Sequence, residues 1–421
     1  MPYSLTSAVS RGARQRRWQR TAALLAGAAM MTGALVALAS PVAAAKVRPM
    51  AVPSGSAWAV SVGDSYISGE AGRWAGNSND SAQTDALGST AYYDAGTRES
   101  IVGCHRARSA QIAFGTIASK NLACSGAKTA TSAYNPDNDF KPGLDFYNDG
   151  AGHIGQALAL QNFAATNRVT MVAVSIGGND FNFGTIVQTC VENFLTSPTW
   201  AKNYCKDDSP VTANFTSTNV SAVTTRISNA LRNVNTAMSR NGYTTSDYSI
   251  VLQTYPSPLP NGSGIRYSES GYGRQNTGGC GFWNADADWS NVSALPTINT
   301  AVRNAATQSA LPNIKIVNIS SLFNSRRLCE TGVYKLQETS LASWRSAGAV
   351  NVSEWIENIR TVSAAFGPYY VQESLHPNYW GQLAIRSCMR QAYNGGAIRG
   401  GNCVRTGTGL NSLGEPVVGL S

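Results

Sequence analysis

The chain has 421 residues, of which 43% are hydrophobic and 14% are charged, and this apolar content is ample for the core of one large domain or two. The formal net charge is +9, but five arginines lie in the first 45 residues, and the remainder has 28 basic and 24 acidic residues, a net charge of +4. No basic cluster with interleaved aromatic residues follows residue 46, so the charge does not indicate a nucleic-acid partner.

The first 45 residues have the organisation of a secretory signal peptide. A basic run containing Arg16 and Arg17 precedes an apolar stretch over residues 21–39 and a small-residue cleavage site that ends at Ala45. An uncleaved membrane anchor is the alternative, because the apolar run is almost long enough to span a bilayer. Alanine and glycine dominate the run and a cleavage site ends it, which favours the signal peptide. We predict a secreted, extracellular protein without an integral membrane segment after signal removal; Sec and twin-arginine export both stay open.

The remaining chain contains an even number of cysteines, which in an exported protein indicates disulfide bonds. The eight residues are Cys104, Cys124, Cys190, Cys205, Cys280, Cys329, Cys388 and Cys403. Spacing alone leaves their pairing open. The sequence has no C-x-x-C motif and only three histidines, so a zinc site is not favoured and no metal or cofactor is predicted.

Apolar and amphipathic runs alternate along the chain after the signal peptide. Five runs are predicted as buried strands: 57–62, 122–123, 169–176, 248–255 and 314–319. Five runs are predicted as helices: 107–118, 154–165, 223–240, 296–308 and 377–393. This alternation predicts an α/β fold with a central, mainly parallel sheet of about five strands and helices on both sides.

Three stretches interrupt this alternation of strands and helices and are predicted as long loop insertions near 68–103, 256–291 and 320–372. They lie in one predicted domain over 46–403, which a C-terminal tail over 404–421 follows. The second insertion carries several aromatic residues, which either line a substrate cleft or pack with one another around Cys280. These residues are Tyr267, Tyr272, Phe282, Trp283 and Trp289. The acidic run that ends at Asp288 lacks the glycine and glutamate of a calcium loop.

Four short segments at predicted strand or helix ends contain the residues of a serine nucleophile site. Ser65 follows the first strand in G-D-S, although a serine that caps the next helix is the commoner explanation of such a motif alone. Gly126 and Asn179 follow the second and third strands with a backbone and a side-chain donor. His376 precedes the last predicted helix, with Pro377 at a favourable first position. The G-x-S-x-G motif of α/β-hydrolases is absent.

These four segments, in this order, resemble the conserved blocks of the SGNH (GDSL-type) hydrolase superfamily, over spaced blocks from about residue 57 to 390. The resemblance implies a three-layer α/β/α, flavodoxin-like fold and a secreted bacterial esterase or lipase. It implies that Ser65 is the nucleophile and His376 the general base. It also implies an oxyanion hole formed by Ser65, Gly126 and Asn179. In secreted members with several disulfides, sequential pairing is usual, which implies Cys104–Cys124, Cys190–Cys205, Cys280–Cys329 and Cys388–Cys403.

The sequence departs from the family pattern at two positions. Tyr66 stands where the family name expects leucine, a change expected to alter packing more than chemistry. The family often has an aspartate three residues before the histidine, and here Glu373 occupies that position. Glu373 is therefore one candidate to orient His376, and a backbone carbonyl, as in some relatives, is the other. The remaining histidines, His105 and His153, are expected to have structural roles.

The leading prediction is a carboxylic-ester hydrolase that acts through an acyl-enzyme on Ser65, of the lipase, phospholipase or esterase type. A carbohydrate or aromatic-acid esterase and an acyltransferase use the same site and stay as alternatives. A non-catalytic secreted binding protein is the alternative of another class, and a structural wall protein lacks the expected repeats. The expected partner is a small-molecule or lipid ester, and the expected state is a monomer.

Overall fold

The computed structural model describes residues 51–133, 140–360 and 368–421, so the signal-peptide prediction lies outside the described residues. The strands are β1 Trp58–Gly63, β2 Ala118–Asn121, β3 Ser132–Ala133, β4 Phe140–Lys141, β5 Val169–Ser175, β6 Ser249–Gln253, β7 Ile314–Asn318, β8 Gly401–Leu410 and β9 Pro416–Leu420. The α-helices are α1 Ser65–Ser68, α2 Ser81–Thr84, α3 Gln156–Ala164, α4 Phe183–Thr196, α5 Ser209–Thr212, α6 Ser217–Ser239, α7 Gly273–Asn276, α8 Asn284–Trp289, α9 Leu295–Ser309, α10 Ala349–Val352 and α11 Tyr379–Tyr393.

The main sheet has seven strands within these residues, in the order β2-β1-β5-β6-β7-β8-β9. All neighbouring strands are parallel except β8 and β9. The mixed α/β fold with a mainly parallel sheet is thus confirmed, but the prediction of about five strands omitted two. Four predicted strands match β1, β5, β6 and β7 closely, whereas β2 ends just before the predicted run over 122–123.

Helices cover both faces of the sheet. Alternate side chains of β5, such as Met171 and Val172, point into two separate hydrophobic clusters. One cluster contains apolar residues of α3, α6 and α9, and the other contains residues of α4 and α11. Because both faces are buried, the strands carry continuous apolar runs, as expected of a parallel sheet.

The segment predicted as a C-terminal tail over 404–421 is instead part of the β8–β9 hairpin at the edge of the sheet. The strands were not predicted because the segment is polar and rich in glycine, a composition that is typical of loops and tails. The burial of Val418 and Leu420 follows the alternation of a strand with one covered face. A disulfide from Cys388 on α11 to Cys403 fixes the hairpin to the helix layer.

The predicted helix over 107–118 is wrong, because residues 107–117 form turns and irregular structure. Its polar side chains bind backbone groups of the loop after β1: Ser109 Oγ donates to Gly72 O over 2.7 Å, and Gln111 Nε2 donates to Tyr66 O over 3.1 Å. Tertiary contacts of this kind override a helical periodicity. By contrast, α4 was not predicted, although it forms one wall of the cavity described below.

All eight cysteines lie in the described residues and form four disulfides. The pairs are Cys104–Cys124, Cys190–Cys205, Cys280–Cys329 and Cys388–Cys403, the sequential pairing that the resemblance implies. Closing a loop in this way stabilises a fold chiefly by restricting the unfolded chain.

Candidate active site

One cavity of about 540 Å³ at the carboxyl end of the sheet is lined by residues from all four predicted segments. Ser65, Gly126, Asn179 and His376 all line it. Ser65 follows β1, Asn179 follows β5, and Gly126 lies in the loop after β2. Open α/β sheets bind their ligands at this edge, because the loops that follow parallel strands converge there.

Ser65 is the first residue of α1 and is held by a tight turn. The turn requires glycine at position 63, because its φ is +135° and a Cβ there would lie 1.9 Å from the Ser175 carbonyl oxygen. Asp64 then caps α1 by accepting a hydrogen bond from the Tyr66 N–H over 3.1 Å. The helix cap and the predicted nucleophile are thus adjacent residues with separate roles in one motif.

Ser65 and His376 are in direct contact, with 2.6 Å between Oγ and Nε2. On the other side of the ring, Nδ1 lies 3.0 Å from the carbonyl oxygen of Ser374. A carbonyl oxygen can only accept, so Nδ1 carries the hydrogen and Nε2 is free to accept from the serine hydroxyl. Burial lowers the pKa of His376 below its usual value, which keeps the imidazole neutral near pH 7.

In the described structure Glu373 bonds to His376 through the backbone, where the His376 N–H donates to the Glu373 carbonyl over 3.2 Å, but the Glu373 side chain makes no hydrogen bond to the imidazole. Its carboxylate instead accepts hydrogen bonds from Trp74 Nε1 over 2.9 Å, from the Tyr92 hydroxyl over 2.5 Å and from the Tyr370 N–H over 3.0 Å. Of the two candidates to orient His376, the backbone carbonyl of Ser374 is therefore the group in contact with the ring. Glu373 is fully buried and ties its loop to the insertion after α1.

Three residues that line the cavity carry hydrogen-bond donors without a full set of partners: Ser65, Gly126 and Asn179. The N–H groups of Ser125 and Ala127 bond to the carbonyls of Cys104 and Cys124, whereas the N–H groups of Gly126 and Ser65 donate to no carbonyl in the described part of the chain. Asn179 Nδ2 donates one hydrogen to Ala127 O over 2.9 Å, which leaves its second hydrogen for a ligand. This set of donors is suited to an oxyanion.

Two tyrosines connect these loops by hydrogen bonds: Tyr255, which was not singled out from the sequence, and Tyr66, which was expected to alter packing more than chemistry. The Tyr255 hydroxyl accepts from the Gly178 N–H over 2.9 Å and donates to Asp64, so it joins the loop of Asn179 to the loop of Ser65. Tyr66 donates to the carbonyl of Leu375, next to His376, over 2.9 Å. Tyr255 lies just past the end of β6. Its position at the carboxyl end of a predicted strand was the one feature of the sequence that could have indicated a role in the site.

The other polar candidates have structural partners. Asp180 accepts hydrogen bonds from the N–H and hydroxyl of Thr129, and His153 pairs with Asp149 over 2.6 Å. His105 lies 2.7 Å from Glu70, and the charge of the histidine helps to hold the pKa of Glu70 at about 2 against the opposing effect of burial. This buried pair lies behind the cavity and contacts Gln372 on its wall.

The wall of the cavity is largely apolar. One side is a line of residues spaced four apart on α4: Phe183, Val187, Val191 and Leu195. Ile359 and Val371 add to the apolar lining. None of the aromatic residues of the second insertion lines the cavity. Trp283 instead packs against Phe194 on the other face of α4, with ring centroids 4.7 Å apart.

No protein-family model and no curated protein matches the chain. Among solved structures, the chain is similar to an extracellular lipase from Streptomyces rimosus, with 17% sequence identity and a TM-score of 0.40, covering 77% of this chain and 94% of that one. It is also similar to phospholipase A1 from Streptomyces albidoflavus, with 18% identity and a TM-score of 0.37, covering 78% and 95%.

In the part of the chain that the structure describes, no helix is long and apolar enough to cross a bilayer. Over the same residues, no group of three or more metal-ligating side chains converges. Asp286, from the acidic run in the second insertion, accepts hydrogen bonds from the N–H groups of Cys205 and Lys206.

Burial of Glu373 predicts a pH dependence of stability. Burial raises the pKa of Glu373 from 4.5 to about 7, so the folded chain holds this proton more tightly than the unfolded chain. Its contribution to stability is therefore full below pH 4.5 and is lost as the pH rises to about 7. We expect Glu373→Gln to remove part of the fall in unfolding free energy between pH 5 and 8, on the order of 2–3 kcal/mol. Urea unfolding of wild type and variant at each pH measures the unfolding free energy.

The matched control is Glu192→Gln, which changes an exposed carboxyl on α4. It should leave the pH dependence of unfolding unchanged. If wild type and Glu373→Gln gave parallel curves between pH 5 and 8, Glu373 would titrate normally and the prediction would be wrong.

Proposed function

We propose that the protein is a carboxylic-ester hydrolase of the lipase or esterase type, with Ser65 as nucleophile and His376 as general base. The observation that carries this proposal is the 2.6 Å contact between Ser65 Oγ and His376 Nε2 at the end of an apolar cavity. The imidazole is neutral and correctly protonated to accept the serine proton. A serine held against such a base, with unused donors beside it, can act as a nucleophile.

In the proposed reaction, Ser65 Oγ attacks the ester carbonyl carbon while its proton passes to His376 Nε2. The carbonyl oxygen becomes an oxyanion, which the N–H groups of Ser65 and Gly126 and the amide of Asn179 stabilise. The intermediate then expels the alcohol, which takes the proton from Nε2, and an acyl-enzyme remains. Water attacks this acyl group by the same route and releases the acid and free Ser65.

During both steps the imidazole becomes positively charged, and its Nδ1–H stays bonded to the carbonyl oxygen of Ser374. A carbonyl dipole stabilises this charge less than a carboxylate does. The proposed machinery is therefore a serine–histidine pair oriented by the backbone, with Glu373 outside it. Membership of the SGNH superfamily belongs to the same proposal and is supported by the order of the four segments and by these contacts.

The apolar residues on α4 support an acyl chain as the group that fills the cavity. From Phe183 to Leu195 these residues extend over slightly more than three helical turns, which corresponds to roughly 18 Å along the helix. Each methylene buried there would contribute about 0.8 kcal/mol. Phe183 is close to the catalytic pair, with its ring 6.3 Å from that of His376, and Leu195 lies at the far end. A lipid ester with a medium or long acyl chain fits this shape.

The experiment is a profile of kcat/KM for p-nitrophenyl esters of increasing acyl length, with wild type and Val187→Trp. Wild type should favour longer chains. Tryptophan at position 187 should fill the cavity just beyond the catalytic pair, so we expect acetyl-ester hydrolysis within threefold of wild type and dodecanoyl-ester hydrolysis at least tenfold lower, equivalent to about 1.4 kcal/mol of lost chain burial.

The matched control is Thr185→Trp, on the same helix but exposed and outside the cavity. It should keep the wild-type profile. If wild type hydrolysed no ester in a Ser65-dependent manner, the binding-protein alternative would take the place of the hydrolase. If Val187→Trp lowered all chain lengths equally, the acyl group would lie elsewhere.

We also propose that the protein is secreted. Four disulfides in the described residues support an oxidising compartment, which agrees with the signal-peptide pattern of the first 45 residues.

A further inference from the structure

Tyr66, the residue next to the proposed nucleophile, reaches across the site to the loop of the proposed base. Its hydroxyl donates to the carbonyl oxygen of Leu375 over 2.9 Å. Its ring also packs against the imidazole of His376, with centroids 5.1 Å apart. The side chain is 5% exposed, so water does not compete for this hydrogen bond. A leucine at this position, as the family name expects, would have no donor to offer.

The loop that Tyr66 holds has a strained backbone. Leu375 adopts a φ of +60°, which is costly for a residue with a branched side chain. The strain persists because hydrogen bonds fix the loop on several sides. The Leu375 N–H donates to the Glu357 carbonyl over 3.0 Å, and the Glu357 N–H donates to the His376 carbonyl over 2.9 Å. The Leu375 carbonyl is held by Tyr66.

The conformation of this loop matters because it contains the group that orients His376. Where a carboxylate orients a catalytic histidine, its side chain can adjust to the ring. Here the acceptor is the Ser374 carbonyl, one residue before Leu375, and it can move only with the backbone. A rotation of the Ser374–Leu375 backbone would turn this carbonyl away from Nδ1.

We propose that Tyr66 is a positioning residue, whose hydrogen bond to the Leu375 carbonyl keeps the backbone of residues 374–376 in the conformation that aligns His376 with Ser65. This inference rests on the proposed function. Tyr66 and Ser65 belong to the same short helix, so the bond fixes the loop of the base relative to the nucleophile itself. The two departures from the family pattern are then related: an orienting carbonyl replaces a carboxylate, and a tyrosine secures the carbonyl's loop.

The hydroxyl is a donor at every relevant pH. Burial raises the pKa of Tyr66 well above its usual value, and the nearby charge of Asp64 adds to the effect. The bond to the Leu375 carbonyl therefore does not titrate with the catalytic histidine.

The test is Tyr66→Phe, which removes the hydroxyl and keeps the ring. We expect kcat for a p-nitrophenyl ester to fall 10- to 100-fold with KM changed less than threefold, because misplacement of a catalytic group mainly affects the chemical step. The pH profile of kcat/KM should shift, since the bond from Nδ1 to the Ser374 carbonyl is weakened. In ¹⁵N-histidine spectra, which contain only three histidines, the Nδ1–H signal of His376 should move or broaden.

The matched control is Tyr243→Phe. Tyr243 is also buried, and its hydroxyl donates to the backbone carbonyl of Asn167 over 2.8 Å, far from the site in sequence and structure. This variant should lose thermal stability while keeping kcat, the pH profile and the His376 signal. Incorporating p-aminophenylalanine at position 66, which restores a donor, should recover part of the lost kcat.

Rates are normalised to the fraction of protein that is folded by circular dichroism, so that misfolded protein does not count. If Tyr66→Phe kept wild-type kcat, pH profile and histidine spectrum, the inference would be overturned even if the melting temperature fell. A wild type whose activity did not depend on Ser65 would instead overturn the proposed function, and the two failures are thus distinguishable.

Discussion

Replacing His376 with alanine is expected to lower kcat for ester hydrolysis by a factor on the order of 10⁴–10⁶. In the proposed mechanism Nε2 takes the proton of Ser65, and no other described base lies within hydrogen-bond distance of Oγ. Ser65→Ala should have an effect of the same size. The double variant should be no worse than either single one, because the two residues act as one unit. Initial rates with a p-nitrophenyl ester measure all three.

Glu373→Gln is the comparison that separates the two candidates for orienting His376. Glu373 bonds to Trp74, Tyr92 and the backbone of Tyr370, so we expect its loss to lower kcat less than tenfold and to act mainly on stability. If Glu373→Gln lowered kcat as much as His376→Ala does, in protein that is fully folded by circular dichroism, Glu373 would be part of the catalytic site and the expectation would be wrong.

Asn179→Ala should lower kcat about 10²–10³-fold with little change in KM, because an oxyanion donor acts mainly in the transition state. In the proposed site one amide performs two tasks: one hydrogen bonds to the Ala127 carbonyl and fixes the side chain, and the second hydrogen is left to bind the oxyanion. Steady-state kinetics over a range of ester concentrations separates the effects on kcat and KM.

Asn179→Asp is a sharper variant of the same experiment, since it keeps the shape and replaces the donor with a negative charge near the oxyanion. It should be at least as damaging as alanine. Asn241→Ala is the control, because that buried amide also donates to a backbone carbonyl, that of Gln161, but lies outside the cavity. Wild-type kcat in Asn179→Ala would exclude Asn179 from the oxyanion hole.

Much of the fold could be predicted because the buried strands carry continuous apolar runs between amphipathic helices. The β8–β9 hairpin was missed because an edge hairpin covered on one face has no such run. The segment over 107–117 was misread because its helical periodicity reflects packing beneath the loop of Ser65. In both cases tertiary contacts, which a single sequence does not display, determine the local structure.

The residues of the candidate site could be predicted from the sequence, but the hydrogen bonds that hold them in place could not. Ser65, Gly126, Asn179 and His376 could be named because their four segments, in this order, resemble the conserved blocks of the SGNH superfamily. The hydroxyl of Tyr66 and the Ser374 carbonyl could not be assigned, because their roles depend on a strained loop conformation. Glu373 was a reasonable candidate by spacing alone, yet the positive φ of Leu375 places the carbonyl, rather than that side chain, against the ring.

The contact between Ser65 and His376 joins positions 311 residues apart, and the proposed oxyanion donors come from two further strand ends. Any fragment that contains the whole site must therefore span at least residues 65–376. Any partly folded state in which α11 or β5 is detached would lose the alignment even if most of the sheet persisted. The proposed ester turnover would then require completed folding of almost the entire domain, so that an activity measurement would show whether newly made chains have reached the native state.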